Sequence, residues 1–305
     1  MYNKTMNGIL CPTCFDELSL SDEYGCCKNH HTYQINNGIL DLMPIITNRT
    51  LLDESEHFDR FLEVGYPIEE DPYISSKLEN KSKGIFEMVI KQECPDFVDR
   101  RICIAEIGCG EGSAFSYLGR LPLQSVNYIG VDISLKSLQY VANSRIPPPN
   151  WNTLLVRSSA NTALFMNESL DIVFSLGTLH HLQVANVIDW VSKSLKPGGL
   201  LIVEEPNEGN PFAKVGRRFV KDYITPGERA LNPRNVEELA VACGLRSVYE
   251  RGINFLTGPL SYLLGIKKTI QPIRICSYLF SQAIDFVVRN QSISYEFIHV
   301  YKKDK

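Results

Sequence analysis

The sequence predicts an α/β protein whose core is a seven-stranded, mostly parallel, Rossmann-like sheet. From about residue 100 onward, short apolar runs alternate with segments of helical periodicity. A glycine-rich turn, Gly108-Cys109-Gly110-Glu111-Gly112, follows the first apolar run, and an acid, Asp132, ends the next one. Glycines let a strand turn sharply into a helix while its backbone stays close to a ligand. These observations together favour a nucleotide-binding fold.

The alternating segments place each element in order. Strands are expected at 102–107, 127–131, 152–157, 170–175, 199–205, 245–251 and 293–301, and helices at 112–120, 134–144, 183–195 and 235–243. Such alternation is typical of a parallel sheet covered on both faces. Two further helical pieces, 51–64 and 74–92, precede the sheet, separated by glycine and proline breakers. We therefore expect three parts: residues 1–45, a helical cover at 46–100 and the sheet domain at 101–305.

The first part carries a candidate metal site. Cys11-Pro12-Thr13-Cys14 is followed after twelve residues by Cys27-Lys28-Asn29-His30-His31. Two thiolates two residues apart, then a cysteine and a histidine, supply the four ligands that a structural zinc ion needs. A segment of about 45 residues rarely folds alone without a metal. Cys26 and His30 are alternative ligands, and a redox pair or stray core thiols is the competing interpretation.

The motifs of the sheet resemble a known family. Glu106-x-Gly108-Cys109-Gly110-x-Gly112, then Gly130-Val131-Asp132-Ile133-Ser134, is similar to the start of a class I S-adenosylmethionine-dependent methyltransferase. The run 169–175 with Leu179-His180-His181-Leu182 resembles its fourth strand and the following turn, and 195–205 resembles the approach to its fifth strand. A dinucleotide dehydrogenase is the competing class, but the Lys-Pro-Gly-Gly segment and the His-His turn fit it poorly. The resemblance implies that the last two strands pair antiparallel.

A second resemblance concerns the cysteine-rich segment. The run from Cys27 to Ile39 is similar to the zinc ribbon that precedes the methyltransferase domain of bacterial guanine-methylating ribosomal RNA enzymes. It favours Cys11, Cys14, Cys27 and His31 as the ligands of a structural Zn²⁺. Four protein ligands leave no open coordination position, so we expect a structural rather than a catalytic ion.

The methyltransferase resemblance implies S-adenosylmethionine as the cofactor and assigns its binding residues. Backbone groups of the glycine loop would pass the methionine moiety, Glu106 would lie beneath the loop, and Asp132 would accept both ribose hydroxyls. Many relatives carry an acid near the end of the third strand, where this chain has serines, so a serine hydroxyl and a backbone amide would meet adenine instead. The expected cofactor-binding residues are Glu106, Gly108, Cys109, Gly110, Asp132, Ile133, Ser159 and Ala160.

Residues that activate the acceptor are less clearly marked. His180 and His181 follow the fourth strand, and histidine has a pKa suited to a general base, so they are the candidate catalytic residues. Structural hydrogen bonding is their alternative role. Other candidates to line the site are Glu204, Glu205 and Asn207 after the fifth strand, and Tyr66 or Tyr73 from the helical cover.

Two acceptor classes fit the sequence. A small-molecule or lipid-linked acceptor is favoured by the acidic composition and by an apolar insertion at 253–292, which is either a helix pair packed on the core, a dimer contact or a lid. An RNA base is favoured by the ribbon, by Ser158-Ser159 and by a basic cluster, Lys214 to Lys221. A non-catalytic cofactor-binding adaptor is a third reading, and the sequence leaves the oligomeric state open.

Composition sets broad limits on these readings. The formal net charge of −4 gives no global bias toward nucleic acid or an anionic membrane. No apolar run reaches the roughly 18 residues that span a bilayer. The nine cysteines are expected to be thiols or metal ligands in a reducing, cytoplasmic setting.

Overall fold

A computed structural model describes residues 6, 8–43, 49–64, 72–112, 123–216, 228–266, 271–288 and 290–304. Its strands are β1 (Ser19–Leu20), β2 (Tyr24–Cys26), β3 (Thr32–Asn36), β4 (Ile39–Asp41), β5 (Arg101–Ile107), β6 (Ser125–Asp132), β7 (Trp151–Arg157), β8 (Leu170–Leu176), β9 (Leu195–Pro206), β10 (Leu245–Ile253) and β11 (Glu296–Lys303). Its helices are α1 (Arg49–Val64), α2 (Pro72–Glu93), α3 (Leu135–Ser144), α4 (Val184–Ser194), α5 (Pro211–Gly216), α6 (Pro233–Ala242), α7 (Thr257–Ile266) and α8 (Gln271–Val287). The helix expected at 112–120 falls almost wholly outside the described residues.

The strands form one sheet in the order β1-β2-β3-β4-β7-β6-β5-β8-β9-β11-β10. Strands β4 to β9 run parallel where they neighbour one another, and β11 is antiparallel to both β9 and β10, as the resemblance implied. The expected count of seven strands is wrong, because the four short N-terminal strands extend the sheet to eleven. Strand β4 joins β7 through a parallel register in which Ile39 lies beside Leu155. The apolar, buried character of Ile39 and Leu40 explains this addition.

Helices cover both faces of the sheet. Ile102 and Ile104 of β5 join a buried cluster with side chains of α2 and α3, whereas Ala105 and Ile107 join another with side chains of α4 and α6. This alternation follows from the two-residue period of a strand. The N-terminal segment contributes Cys11, Leu40 and others to the second cluster, so its core is continuous with that of the sheet.

Helix α1 lies over the carboxyl end of β6. Its Ser55 hydroxyl donates to the Ile133 carbonyl at 3.1 Å, and its Asp59 carboxylate accepts from the Ser134 hydroxyl at 2.6 Å. The same Asp59 oxygen accepts from the Lys136 backbone N–H at 3.2 Å, at the start of α3. These bonds fix α1 above the strand ends, where ligands bind in open α/β sheets.

The apolar insertion forms the helix pair α7 and α8, which packs against α2. The Tyr73 ring of α2 meets the Tyr278 ring of α8 edge-on, with centroids 5.9 Å apart, beside buried Ile74 and Leu264. Tyr73 therefore packs between helices instead of lining the cofactor pocket, and Tyr66 lies outside the described residues. None of the described helices has the length and apolar character needed to cross a bilayer.

Candidate functional site

A cavity of about 250 Å³ opens at the carboxyl ends of β5, β6, β7 and β8. The glycine loop forms its floor, and Asp132, Ser159 and Thr178 reach it from the neighbouring strand ends. Helix α1 adds Glu54 and Phe58 from above. All the predicted cofactor residues, from Glu106 to Ala160, line this one cavity. The cavity is therefore our candidate cofactor site.

The glycine loop turns tightly beneath the cavity. Gly108 and Gly110 have φ of +66° and +46°, a region that residues with a Cβ rarely adopt. The Cys109 N–H donates to the Val131 carbonyl at 2.9 Å, which ties the loop to β6. A Cβ on Gly108 would lie only 2.1 Å from the Thr178 hydroxyl oxygen. The Gly108 backbone is therefore packed directly against the Thr178 side chain in the turn after β8.

Substituting Gly108 with alanine is expected to destabilise the fold by about 2–4 kcal/mol and to weaken cofactor binding, because strain at positive φ adds to the clash with Thr178. Urea unfolding and a donor-binding isotherm measure the two effects. Gly84→Ala is the matched control: it is exposed on α2, with open space around its Cβ position, and should gain up to about 1 kcal/mol. Equal stability of both variants would contradict the tight approach.

Asp132 is held in place by the loop that it faces. One carboxylate oxygen accepts from the Gly110 N–H and the other from the Ser134 N–H, each at 2.8 Å. Burial raises the pKa of Asp132, and these backbone hydrogen bonds partly oppose the shift. Each oxygen keeps a further lone pair for a ligand donor. The arrangement suits a pair of neighbouring hydroxyls, such as those of a ribose.

Glu106 lies under the glycine loop and is almost fully buried. The Tyr128 hydroxyl, also buried, donates a hydrogen bond to its carboxylate. Burial raises the pKa of Tyr128 well above its usual value, so the phenol keeps the proton that it donates. Glu106 therefore lies just before the loop, is bonded to Tyr128 of β6 and also lines the cavity.

The opposite end of the cavity is formed by the residue after β6 and by the turn after β7. Ile133, Ser158, Ser159 and Ala160 line it, as expected for an adenine-binding end. The Trp190 indole N–H donates to the Ala160 carbonyl at 3.0 Å and fixes the turn. The apolar Ile133 and the polar serines give this end both a packing surface and hydrogen-bonding groups.

Glu54 and Phe58 of α1 are among the lining residues that the sequence interpretation missed. Their spacing of four residues puts them on one helix face, so helical periodicity could have pointed to them. The Phe58 ring meets His181 edge-on, with centroids 5.4 Å apart. Glu54 is a second carboxyl beside Asp132 in the cavity. Burial and the nearby Asp132 charge raise the pKa of Glu54.

The two candidate catalytic histidines differ in position. His181 lines the cavity, whereas His180 is turned toward β9 and does not line it. The His180 Nδ1–H donates to the buried Glu205 carboxylate at 2.8 Å, and a carboxylate partner assigns the proton to that nitrogen. The other Glu205 oxygen accepts from the Thr178 and Leu179 N–H groups at 2.9 and 2.7 Å.

The described contacts of Glu205 and Asn207 are structural, and neither residue lines the cavity, although both are sequence candidates to line the site. Asn207 is buried, donates to the Gln291 carbonyl at 2.6 Å and accepts from the Gly209 N–H at 2.8 Å. Both side chains use their polar groups to fix turns around the sheet. These contacts direct the polar groups of both side chains toward the protein and away from the cavity.

A group of possible metal ligands also lies near the cavity. Candidate ligand atoms of His180, His181 and Glu228 are all within 4.8 Å of one another. His180 would offer Nε2, because its Nδ1 is bonded to Glu205. All three side chains are partly exposed, and the spacing alone assigns no ion to them.

Glu204 differs from its neighbour Glu205 in its environment. It is half-buried and accepts from the Ser82 hydroxyl of α2 at 2.6 Å. Burial is the main cause that raises its pKa to about 7; the Glu205 charge adds to the shift, and the Ser82 hydrogen bond opposes it. This carboxyl therefore changes charge near neutral pH.

Stability should depend on pH through Glu204. Its folded-state pKa lies above the unfolded value, so between about pH 4.5 and about pH 7 the folded chain binds more protons and stability falls as pH rises. Glu204→Gln, which can still accept from Ser82, should remove this fall, amounting to about 1–3 kcal/mol. Urea unfolding from about pH 5 to about pH 8 measures it, with exposed Glu56→Gln as control. The same pH slope in wild type and Glu204→Gln would contradict the assignment.

The predicted metal ligands lie together at the N-terminal strands. The ligand atoms of Cys11, Cys14, Cys27 and His31 are all within 4.8 Å of one another. The Cys14 and Cys27 sulfurs are 3.6 Å apart, and His31 Nδ1 is 3.4 Å from Cys27 Sγ and 3.6 Å from Cys11 Sγ. Tetrahedral zinc bonds to sulfur and nitrogen predict separations of about 3.8 Å and about 3.5 Å. The donor set and its spacing therefore fit zinc.

The alternative ligands do not join this group. The Cys26 thiol donates to the Cys27 carbonyl at 3.3 Å and accepts from the Thr32 hydroxyl at 3.8 Å. His30 has φ of +63°, which turns the chain so that the next residue, His31, faces the sulfurs. The Tyr33 hydroxyl bridges Cys11 Sγ at 3.2 Å and Thr13 at 2.9 Å, a second layer around the donors.

The comparisons with known proteins agree with this site. Residues 105–203 match the family described as a methyltransferase domain. That range contains the glycine loop, Asp132, Ala160 and the His-His turn, while the N-terminal cysteines lie outside it. No curated protein has a sequence that matches the chain significantly.

Solved structures share the fold at low sequence identity. A candidate sarcosine dimethylglycine methyltransferase from Galdieria sulphuraria superposes with a TM-score of 0.55 at 12% identity, covering 81% of this chain and 98% of its own. Loganic acid methyltransferase with SAH gives a TM-score of 0.52 at 10% identity, covering 77% of this chain and 95% of its own. The carbon methyltransferase of CurJ gives 0.52 at 13% identity, covering 84% of this chain and 59% of its own. At these identities the likeness concerns the fold.

Proposed function

We propose that this chain, whose residues 105–203 match a methyltransferase domain, transfers a methyl group from S-adenosylmethionine to a small-molecule or glycolipid-type acceptor on oxygen, nitrogen or carbon. The observation that carries the proposal is Asp132, fixed by two backbone N–H groups at the wall of a cavity floored by the glycine loop. The donor, when bound, supplies an electrophilic methyl carbon on a sulfonium. Positioning an acceptor in line with that carbon provides much of the acceleration in such transfers.

Each part of the cavity would bind one part of the donor. Asp132 would accept the ribose hydroxyls, Ile133 would pack on adenine, and Ser159 with the Ala160 amide would meet the adenine edge. Backbone groups of Gly108, Cys109 and Gly110 would face the methionine moiety, above Glu106. Helix α1, through Glu54 and Phe58, would cover the bound donor and exclude water.

A histidine would handle the acceptor proton. His181 lines the cavity and can take a proton from an acceptor that binds beside Phe58. His180 would position it: the two ring centroids are 4.0 Å apart with the planes tilted by 40°, and Glu205 holds the His180 ring. His181→Ala should lower the rate of methyl transfer more than it lowers the affinity for the donor, which distinguishes a role in proton transfer from a role in donor binding.

We also propose a structural Zn²⁺ held by Cys11, Cys14, Cys27 and His31. The separations among these donor atoms support it, as does the turn at His30. On this reading residues 1–45 form a zinc ribbon, 46–100 a helical cover and 101–305 the methyltransferase domain with its insertion at 253–292. The ion would stabilise the four N-terminal strands and through β4 the β7 side of the cavity.

An RNA base is the alternative acceptor, favoured by the ribbon-like segment and by Ser158-Ser159. The basic cluster from Lys214 to Lys221, which would contact phosphates, has no described side chains. A small or lipid-linked acceptor is favoured by the formal charge of −4 and by the apolar pair α7 and α8, which packs on α2 near Ser82 and Glu204.

The fate of a labelled methyl group tests the proposal. Cell extract is divided into nucleic acid, protein and solvent-extractable fractions, and each is incubated with methyl-labelled S-adenosylmethionine and the purified chain. We expect label in solvent-extractable material and none above background with Asp132→Ala. Label in nucleic acid, with a steep loss at higher salt, would support the RNA alternative. Donor binding without transfer to any fraction would support an adaptor.

A further inference from the structure

Helix α8 exposes apolar side chains and buries polar ones, the opposite of an ordinary surface helix. Its large apolar side chains face outward: Leu279, Phe280, Phe286 and Val287 are 62, 64, 70 and 80% exposed. Ile273 is half exposed, and with Phe280 and Val287 it follows the seven-residue spacing of a single helix face. Soluble proteins rarely leave such a continuous apolar stripe open to water, so the face is a candidate contact surface.

The polar residues of α8 point inward because they hold the start of α7. The Asp285 carboxylate accepts from the Leu256 N–H at 2.8 Å and from the Thr257 hydroxyl at 2.6 Å. The Ser281 hydroxyl is bonded to Thr257 at 2.8 Å, and Gln282 donates to the same oxygen at 3.0 Å. Rotating the helix to bury its apolar face would break this network. The outward stripe is therefore a fixed feature of the folded chain.

The charge of the segment that contains α8 indicates which kind of partner its apolar face binds. From 267 to 289 the sequence has four basic residues, Lys267, Lys268, Arg274 and Arg289, and one acid, Asp285. That acid is buried and bonded inward, so the helix offers no carboxylate on its outer face. An apolar helix face without an outward acid, in a segment whose sequence has three more basic than acidic residues, is the chemistry that anionic lipid headgroups attract. This local pattern contrasts with the acidic balance of the whole chain.

We propose that the outer face of α8 binds an anionic membrane surface. The apolar side chains enter the boundary between headgroups and acyl chains, and the net positive charge of the segment attracts anionic headgroups. The helix lies along the surface without crossing it, in keeping with the described helices. Through Tyr278 and Tyr73 the bound helix connects to α2, whose Ser82 reaches the carboxyl end of β9.

Vesicle sedimentation of the full chain tests the proposal, and it needs neither methyl donor nor acceptor. We expect the chain to bind mixed phosphatidylglycerol and phosphatidylcholine vesicles about tenfold or more tightly than pure phosphatidylcholine. The double variant Leu279→Gln, Phe280→Gln should weaken binding to the mixed vesicles by about tenfold or more. Because both side chains are exposed, the variant should fold, which far-UV circular dichroism and urea unfolding verify.

The control replaces an exposed apolar residue elsewhere. Ile146 is 93% exposed in the connection after α3, and Ile146→Gln should leave vesicle binding unchanged. Equal binding by wild type and the double variant overturns the assignment to α8. Absence of vesicle binding also overturns it, and a concentration-dependent dimer that the double variant dissociates would then identify the face as a contact between copies of this chain. Methyl transfer can fail while vesicle binding succeeds, so the two proposals are tested separately.

Discussion

Replacing Asp132 with alanine is expected to weaken binding of S-adenosylmethionine and its demethylated product by at least about tenfold. Two charge-assisted hydrogen bonds to the ribose, of about 1.5–3 kcal/mol each, would be lost. The glycine loop would also lose the acceptor that Gly110 uses. Isothermal calorimetry with either ligand measures the change.

The control separates lost contacts from a lost fold. Asp189→Ala removes an exposed carboxylate that pairs with Lys193 at 2.7 Å on α4, so it should leave the dissociation constant unchanged. Asp132→Asn keeps the side-chain volume and one acceptor oxygen, which can serve either the Gly110 or the Ser134 N–H, so it should disturb the loop less than alanine while still binding the ribose less tightly. An unchanged dissociation constant in Asp132→Ala would show that the donor binds elsewhere.

Replacing Cys27 with serine should abolish tight zinc binding and destabilise the chain by several kcal/mol, because metal affinity in such sites is folding free energy. Elemental analysis of the untagged chain should give about one zinc per molecule, falling sharply in Cys27→Ser. Thermal unfolding reports the stability. Hydrogen exchange should also quicken in β7, since Ile39 to Asp41 of β4 pair with Leu155 to Arg157.

Cys26 provides the matched control, since it neighbours Cys27 but bonds outside the ligand group. Cys26→Ser should keep the zinc content and most of the stability. If both variants lost zinc equally, the ligand assignment would be wrong. A wild-type chain purified without any zinc would contradict the site itself.

The most local parts of the site could be predicted from sequence. The glycine loop and Asp132 follow from a spacing that needs only a strand, a turn and the next strand. The grouping of the cysteines with His31 likewise follows from two tight turns in a short segment. In both cases the binding residues are close in sequence and are brought together by local turns, so their sequence spacing is enough to predict their arrangement.

Long-range packing determines what the sequence did not reveal. Glu54 and Phe58 reach the cavity only because Ser55 and Asp59 fasten α1 to β6 and α3. The role of Glu205 depends on how β9 and the turn after β8 meet, and the pairing of β4 with β7 depends on two segments more than a hundred residues apart. No local periodicity encodes such contacts.

The pairing of β4 with β7 has a consequence for solubility. A parallel sheet ending at β7 would present a row of unpaired backbone groups, which can recruit a strand from another molecule. In this chain the short N-terminal strands cover that edge of the sheet. The new edge strand is the two-residue β1, which presents few unpaired backbone groups to another molecule. Losing the metal-binding segment should therefore promote self-association of the remaining protein, before any effect on chemistry is felt.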